Sequence, residues 1–240
     1  MTTGAEAAQA EDTFPKLLLR NAKKFAGKPA IREKSLGIWQ TWNWDQVLDE
    51  IRAFSVGLSE LGIGPGDKVA IVGDNRPRLY WSICAIQALG GVPIPVYQDS
   101  VAEEMTFVLK HAGVTAAVVE NQEQVDKVLE IRETYKDVKN IIYDDDRGMA
   151  KYEVDGVRPI DDVQQLGREK LKNDANAESA WLEQIANGSP DDTAIILYTS
   201  GTTGTPKGVV LTMRSVVWAA KVANGFDKLD SNESVIAYLP

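Results

Sequence analysis

Apolar residues alternate along the chain between helical spacing and short continuous runs. Residues 47–61 carry apolar side chains at the spacing of one helix face. Asn43, with Gln46 three residues later, has the pattern of a capping box at the start of that helix. Glycine and proline at 64–67 end it. The next run, 69–72, is continuously apolar, which is typical of a strand covered on both faces.

The same alternation continues downstream. Helical faces are predicted at 79–88, 101–112 and 125–131, and strands at 92–96, 116–119, 140–143 and 193–198. Strands that alternate with helices favour parallel βαβ units. The sequence therefore predicts an α/β fold in which a mostly parallel sheet is flanked by helices.

Between 144 and 192 the pattern turns polar and weakly periodic. We interpret this stretch as a surface excursion with short helices at 166–172 and 177–185. The three aspartates at 144–146 could be taken for a metal site. However, the side chains of consecutive residues point in different directions, whereas metal ligands must converge. A solvated turn is the favoured interpretation.

Two segments bear on localisation. Residues 79–98 contain no charge, and about 20 apolar residues suffice to span a bilayer. Gly90, Gly91, Pro93 and Pro95 interrupt the run, which favours a buried helix followed by a buried strand. Residues 1–12 lack the cationic and apolar regions of a secretory signal and are expected to form a disordered tail.

Charge and cysteine content narrow the class of protein. The 26 basic and 35 acidic residues give a net charge of −9, which disfavours nonspecific binding to nucleic acid or to an anionic membrane. A single cysteine, Cys84, cannot form an intrachain disulfide, so we expect a cytoplasmic protein with at most peripheral membrane contact. Cys84 lies in an apolar run and is interpreted as a structural thiol.

The most informative segment follows the apolar strand at 193–198. It reads TSGTTGTPKGVVLT over 199–212 and combines glycines, hydroxyl residues and Lys207. Glycines at 201, 204 and 208 permit positive φ and close backbone approach, hydroxyl groups donate hydrogen bonds, and Lys207 adds a positive charge suited to phosphate. The pattern therefore predicts a polyphosphate-binding loop.

Two other interpretations of this loop are weaker. A Walker A loop would need glycine at 206 and serine or threonine at 208, where the chain has Pro206 and Gly208. A flexible surface turn gives no reason for three glycines, five hydroxyl residues and a lysine to follow a buried strand directly.

The segment 198–209, YTSGTTGTPKGV, resembles the phosphate-binding signature of the adenylate-forming superfamily, which includes acyl-CoA synthetases, luciferases and peptide-synthetase adenylation domains. Further segments that resemble this family, in the same order, are TWNW (41–44), LGIGPGDKVA (61–70) and ALGGVPIPV (88–96). DNRP (74–77), the long stretch before the signature and AYLP (237–240) are most similar to the long-chain fatty acyl-CoA synthetase branch.

The resemblance implies an ATP-dependent ligase. Such enzymes join a carboxylic acid to ATP, releasing pyrophosphate, and coenzyme A then displaces AMP. Residues 13–240 would form the N-terminal part of the adenylation domain, incomplete at its C-terminus, with the catalytic lysine beyond Pro240. Thr199 would lie nearest to Mg²⁺. The residues implied to hold the phosphates are Thr199, Ser200, Gly201, Thr202, Thr203, Gly204 and Lys207.

Two residues bear on whether the function of this family can be carried over to this chain. The family often has histidine or an equivalent polar residue where this chain has Met213, and the only histidine, His111, is expected to be a partly exposed helix residue and not a catalytic base. The partners implied are small molecules: ATP, a fatty acid and coenzyme A. The alternative hypothesis is a catalytically inactive fragment that binds a nucleotide or a protein partner.

Overall fold

The computed structural model describes residues 11–199 and 206–237. The disordered tail predicted for 1–12 therefore lies mostly outside the described residues. The helices are α1 (Phe14–Phe25), α2 (Trp44–Glu60), α3 (Pro77–Ala88), α4 (Ala102–Ala112), α5 (Gln122–Thr134), α6 (Ile160–Asn173), α7 (Ala177–Asn187) and α8 (Met213–Asp227). The strands are β1 (Pro29–Ser35), β2 (Ile38–Asn43), β3 (Lys68–Val72), β4 (Val92–Val96), β5 (Val114–Val119), β6 (Asn140–Tyr143), β7 (Val157–Pro159), β8 (Thr193–Thr199) and β9 (Lys207–Thr212).

In the described part of the chain, five parallel strands form the central sheet in the order β4-β3-β5-β6-β7. The chain moves outward from β3 to β4 and then returns past β3 to β5, so the winding direction reverses at β3. The predicted α/β class with a parallel sheet is confirmed. The carboxyl ends of the strands beside such a reversal are where open α/β sheets bind ligands.

Strand β3 shows why the sheet is covered on both faces. Its side chains alternate between faces: Val69 and Ile71 pack with residues of α2, α3 and α6, whereas Ala70 and Val72 pack with residues of α4 and α5. All four are buried. The continuously apolar run at 69–72 is explained by this double coverage.

The interpretation of 144–192 as a surface excursion was wrong in part. Strand β7 adds a fifth strand to the sheet, and α6 is a full helix that packs along α2. Ile160 and Val163 of α6 are fully buried, as is Gln164, whose amide donates to Glu50 Oε2 at 2.7 Å. The many polar residues of α6 hid this burial, because only a few of its positions are apolar.

The first turn of α2 contains a hydrogen bond of the capping box predicted for Asn43 and Gln46. The backbone N–H of Asn43 donates to Gln46 Oε1 at 2.8 Å. The aromatic-rich stretch before it forms the antiparallel β1–β2 hairpin. Trp42 meets Trp81 of α3 edge to face, with ring centroids 5.5 Å apart.

The uncharged run at 79–98 consists of nearly all of α3, strand β4 and the short segments that adjoin them, so the predicted helix followed by a strand is confirmed. Pro93 and Pro95 lie in β4, which is the outermost strand of the parallel sheet. Val92 donates its N–H to Asp67 on the β3 side, so the alternating prolines fall on the outer side, where no ladder partner is lost. Over the described residues, none of the helices has the length and apolarity needed to cross a membrane.

Candidate functional site

The segment predicted to bind phosphate forms a β-hairpin. Strand β8 pairs with β9 in antiparallel register, with Tyr198 opposite Gly208 and Thr199 opposite Lys207. The strands leave residues 200–206 as the connection between them. Thr199 and Lys207 are both exposed at this open end. The structure thus brings together the two described residues of the predicted loop.

The remaining predicted residues of the loop lie outside the described residues, so their assignment stays a prediction. They are Ser200, Gly201, Thr202, Thr203 and Gly204.

Lys207 carries the positive charge at this end of the hairpin. Among the residues that the structure describes, no carboxylate forms a salt bridge with it. An exposed ammonium with no internal counter-ion offers its charge to a bound ligand. A hydroxyl on the facing strand, at Thr199, adds a neutral donor beside that charge.

Two expectations about this segment need correction. Strand β8 was predicted to be buried, but only Ala194 is fully so, and Leu197 is 37% exposed. Gly208 was expected to permit positive φ and close backbone approach to an anion, and the first expectation was wrong, because the residue lies within β9 without a positive φ. A β-carbon at 208 would lie 3.2 Å from Tyr198 Cζ, so the glycine makes room for the tyrosine ring.

A cleft of about 460 Å³ adjoins the hairpin. It opens at the carboxyl ends of β3 and β4 and reaches the end of β8, immediately before Thr199. Its wall is apolar and aromatic, and its rim carries carboxylate and amide groups. Lining residues that matter here are Leu79, Tyr80, Ile83, Tyr97, Leu197 and Tyr198.

Burial raises the pKa of both Tyr80 and Tyr198 above the ordinary value of 10. Both phenols therefore stay protonated at neutral pH. A protonated phenol at the cleft wall is a hydrogen-bond donor as well as an acceptor.

A polar network holds the rim of this cleft at the point where the winding direction reverses. Glu120, which follows β5, accepts the backbone N–H of Asp74 at 2.7 Å and the Arg76 Nε at 3.2 Å. Arg76 also donates to Glu33 at 2.8 Å, and Gln98 donates to Asp74 Oδ1 at 2.6 Å. The network fixes the backbone after β3 through side chains from three other segments.

Gly73 makes this arrangement possible. Its φ is 155°, and a β-carbon there would lie 2.5 Å from Glu120 Cβ and 2.7 Å from Leu79 Cδ1. The chain thus needs glycine directly after β3 for Glu120 to reach the Asp74 amide.

Sequence reasoning missed Glu120 as part of this site. The position of Glu120 in the sequence was the available signal. It is the first charged residue after the buried strand β5, whose carboxyl end lies beside the point where the winding direction of the sheet reverses. Reasoning also missed the contact between His111 and Tyr198, whose atoms Nδ1 and Oη lie 2.6 Å apart. No sequence spacing indicates that pair, because it joins residues far apart in the chain.

Three other residues were singled out in the sequence: Cys84, His111 and Met213. Burial raises the pKa of the Cys84 thiol to about 12, which suits a structural thiol. His111 is exposed on α4, as expected. Met213 is buried as the first residue of α8 and lies outside the cleft beside the hairpin.

The aspartates at 144–146 do not form one solvated turn, as had been expected. Asp144 is largely buried and lies 3.4 Å from Arg78, whereas Asp145 pairs with Arg147. The two carboxylates turn to different partners, so they do not converge on one point.

Comparison with known proteins places this geometry in a family. The family model described as AMP-binding enzyme matches residues 18–240. The chain is 32% identical to the human long-chain-fatty-acid–CoA ligase ACSBG2 over 95% of its length and 33% of that protein. It is 31% identical to long chain acyl-CoA synthetase 8 of Arabidopsis thaliana, covering 85% of this chain and 28% of that protein. The chain thus spans about a third of the length of the curated relatives it matches.

Solved structures agree on the fold. A long-chain-fatty-acid-CoA ligase, FadD1 of Archaeoglobus fulgidus, superposes with a TM-score of 0.70 at 19% identity, over 92% of this chain and 40% of that one. Acetoacetyl-CoA synthetase of Streptomyces lividans gives a TM-score of 0.69 at 19% identity, over 88% and 32%. These likenesses confirm that the fold is that of the N-terminal part of adenylate-forming enzymes. From the match over residues 18–240, the chain belongs to the family of AMP-binding enzymes.

Proposed function

We propose that this chain supplies the triphosphate-binding loop of a ligase that activates a long-chain fatty acid with ATP. A carboxylate oxygen of the acid attacks the α-phosphorus, the bond from that phosphorus to the bridging oxygen breaks, and pyrophosphate leaves. The thiol of coenzyme A then attacks the acyl carbon, loses its proton, and displaces AMP to give the thioester. Each step exchanges one bond for another and needs no oxidant or reductant.

The observation that carries the proposal is the pairing of Thr199 with Lys207 at the open end of the β8–β9 hairpin. The first step concentrates negative charge on the leaving pyrophosphate, and positioned donors stabilise that charge. Lys207, with no carboxylate partner in the described chain, is such a donor. The residues at 200–204 are assigned to the same phosphates from their sequence.

Mg²⁺ enters this proposal as part of the substrate MgATP. Within the described residues, no group of three or more histidine, cysteine or acidic side chains could hold a metal ion. Mg²⁺ commonly binds through substrate phosphates and water with only one or two protein oxygens. The exposed hydroxyl of Thr199 suits that limited role, and neutralisation of phosphate charge is what the ion supplies when bound.

The choice of a long-chain acid rests on the relatives whose printed names specify it. The proposal also includes a cytoplasmic location with at most peripheral membrane contact, and no nucleic-acid partner. A catalytic lysine and the groups that hold adenine and ribose are assigned to sequence beyond Pro240.

The test is ATP–pyrophosphate exchange catalysed by the native protein that contains this chain. Palmitate, benzoate and acetate would be compared at equal concentration in the presence of Mg²⁺. We expect exchange that depends on acid and is fastest with palmitate. ATP binding without exchange for any acid would contradict the ligase and support an inactive nucleotide-binding module.

A further inference from the structure

Helix α4 contacts the hairpin at the residue before the phosphate loop. His111 Nδ1 lies 2.6 Å from Tyr198 Oη, and the two rings are perpendicular with centroids 5.7 Å apart. Tyr198 directly precedes Thr199. A side chain of α4 is therefore one residue away from the first group assigned to phosphate.

Two neighbours fix the geometry of this contact. Phe107, one turn before His111 on α4, stacks on its ring with centroids 5.4 Å apart and planes 20° apart. Across the hairpin, Gly208 lies opposite Tyr198, and a β-carbon there would come within 3.2 Å of Cζ and 3.4 Å of Oη. The tyrosine ring thus lies over the glycine, with its hydroxyl held by a histidine that is itself stacked.

Within the described residues, few side-chain hydrogen bonds join the hairpin to the rest of the fold, and its other support is the packing of β8 beside β4. At the opposite end of β8, Gln87 Nε2 donates to the Ala194 carbonyl at 2.8 Å. A two-stranded hairpin is marginally stable without such support. In the described chain, the histidine–tyrosine pair is the side-chain hydrogen bond at the loop end of β8.

We propose that His111 is a positioning residue for the nucleotide phosphates: through Tyr198, it fixes the strand end that carries Thr199 and, across the ladder, Lys207. The inference rests on the proposed function, since the phosphates belong to ATP. His111 does not touch the nucleotide. Its effect passes through the single hydrogen bond between its ring nitrogen and the Tyr198 hydroxyl. Either group can be the donor, depending on the histidine tautomer and the orientation of the hydroxyl.

The test uses four variants of the native protein that contains this chain. His111→Leu removes the polar group, His111→Asn places an amide near the Nδ1 position, and Tyr198→Phe removes only the hydroxyl. The double variant His111→Leu/Tyr198→Phe tests whether the two residues act together. MgATP affinity would be measured by calorimetry, amide hydrogen exchange of the hairpin by NMR, and global stability by Tm.

We expect His111→Leu and Tyr198→Phe each to weaken ATP binding about fivefold to tenfold, as the loss of one hydrogen bond allows. Exchange of the amides at the loop end of β8 and β9 should rise by a similar factor. The Tm should stay near that of the wild type, the double variant should be no worse than either single one, and His111→Asn should restore both affinity and protection.

Unchanged affinity and exchange in His111→Leu would overturn the inference. So would equal losses in His111→Asn and His111→Leu, since these would show that only ring stacking on Phe107 matters. If the wild-type native protein binds no ATP, the proposed function fails separately. Hairpin exchange then decides the role of His111 alone: faster exchange in His111→Leu supports it, and equal exchange contradicts it.

Discussion

Lys207 lies directly opposite Thr199 on the last paired position of the β8–β9 ladder, so an ammonium and a hydroxyl flank the two ends of the loop. This pairing makes Lys207 the first residue to test. Lys207→Ala should cost about 2–3 kcal/mol in the use of MgATP, the scale of a charge-assisted hydrogen bond. The measurement is kcat/KM for ATP in pyrophosphate exchange by the native protein.

The matched control is Lys172→Ala, which removes another exposed lysine, from the last turn of α6. We expect no change in that variant. Unchanged kinetics in Lys207→Ala, or equal losses in both variants, would contradict the role assigned to Lys207.

Gly167 of α6 fixes how closely that helix approaches α2. A β-carbon at 167 would lie 1.8 Å from the Ala53 carbonyl oxygen and 2.7 Å from the Gly57 nitrogen, both backbone atoms that cannot rotate away. Gly167→Ala should therefore lower the free energy of unfolding by about 3 kcal/mol, the upper range for overpacking. Urea denaturation followed by circular dichroism measures it.

Gly225→Ala is the control for helix propensity, because it also lies inside a helix but has no atom within 4 Å of the added carbon. That variant should be neutral or stabilised by up to about 1 kcal/mol. If Gly167→Ala were stabilised similarly, the close crossing of α2 and α6 would be wrong.

Cys84 should be slow to react in the folded chain. Burial raises its pKa to about 12, so the reactive thiolate is much scarcer than for a free cysteine near neutral pH. Modification by a disulfide reagent at pH 8 should be slow in buffer and fast in denaturant. Reaction in buffer as fast as that of free cysteine would show the thiol to be accessible.

Asp144 should make stability fall as pH rises. Burial raises its pKa above the ordinary 3.8, and the nearby Arg78 offsets this only in part. A carboxyl that binds its proton more tightly when folded contributes most stability below 3.8 and loses it as pH rises through the folded-state pKa. The wild type should therefore lose stability relative to Asp144→Asn over that interval.

The free energy of unfolding of both proteins, measured at several pH values from 3 to 7, checks the sign. An NMR titration of the Asp144 carboxyl gives the pKa independently. A value below 3.8 would mean that the ion pair with Arg78 outweighs burial.

Much of the fold could be predicted because periodicity follows burial. The run at 69–72 is apolar at every position because helices cover both faces of β3, and 140–143 was predicted with the bounds that the structure shows. Helix α6 was misjudged since its buried residues include Gln164, which is satisfied by a hydrogen bond and looks polar in sequence.

The candidate site was only partly predictable for a similar reason. Thr199 and Lys207 lie in one contiguous motif, so local sequence sufficed. The contacts of Glu120 with Arg76 and of His111 with Tyr198 join segments that are distant in sequence and depend on how helices and strands pack. The positive φ expected of Gly208 was wrong, because the residue lies in a strand and faces the ring of Tyr198.

The most direct test of the central claim compares the affinities of the native protein that contains this chain for ATP and AMP in the presence of Mg²⁺, by calorimetry. If the hairpin binds the β- and γ-phosphates, ATP should bind at least tenfold more tightly than AMP, and Lys207→Ala should remove most of that difference. Equal affinities for ATP and AMP, or a preference unchanged by Lys207→Ala, would contradict the assignment of the β8–β9 hairpin as the triphosphate-binding element.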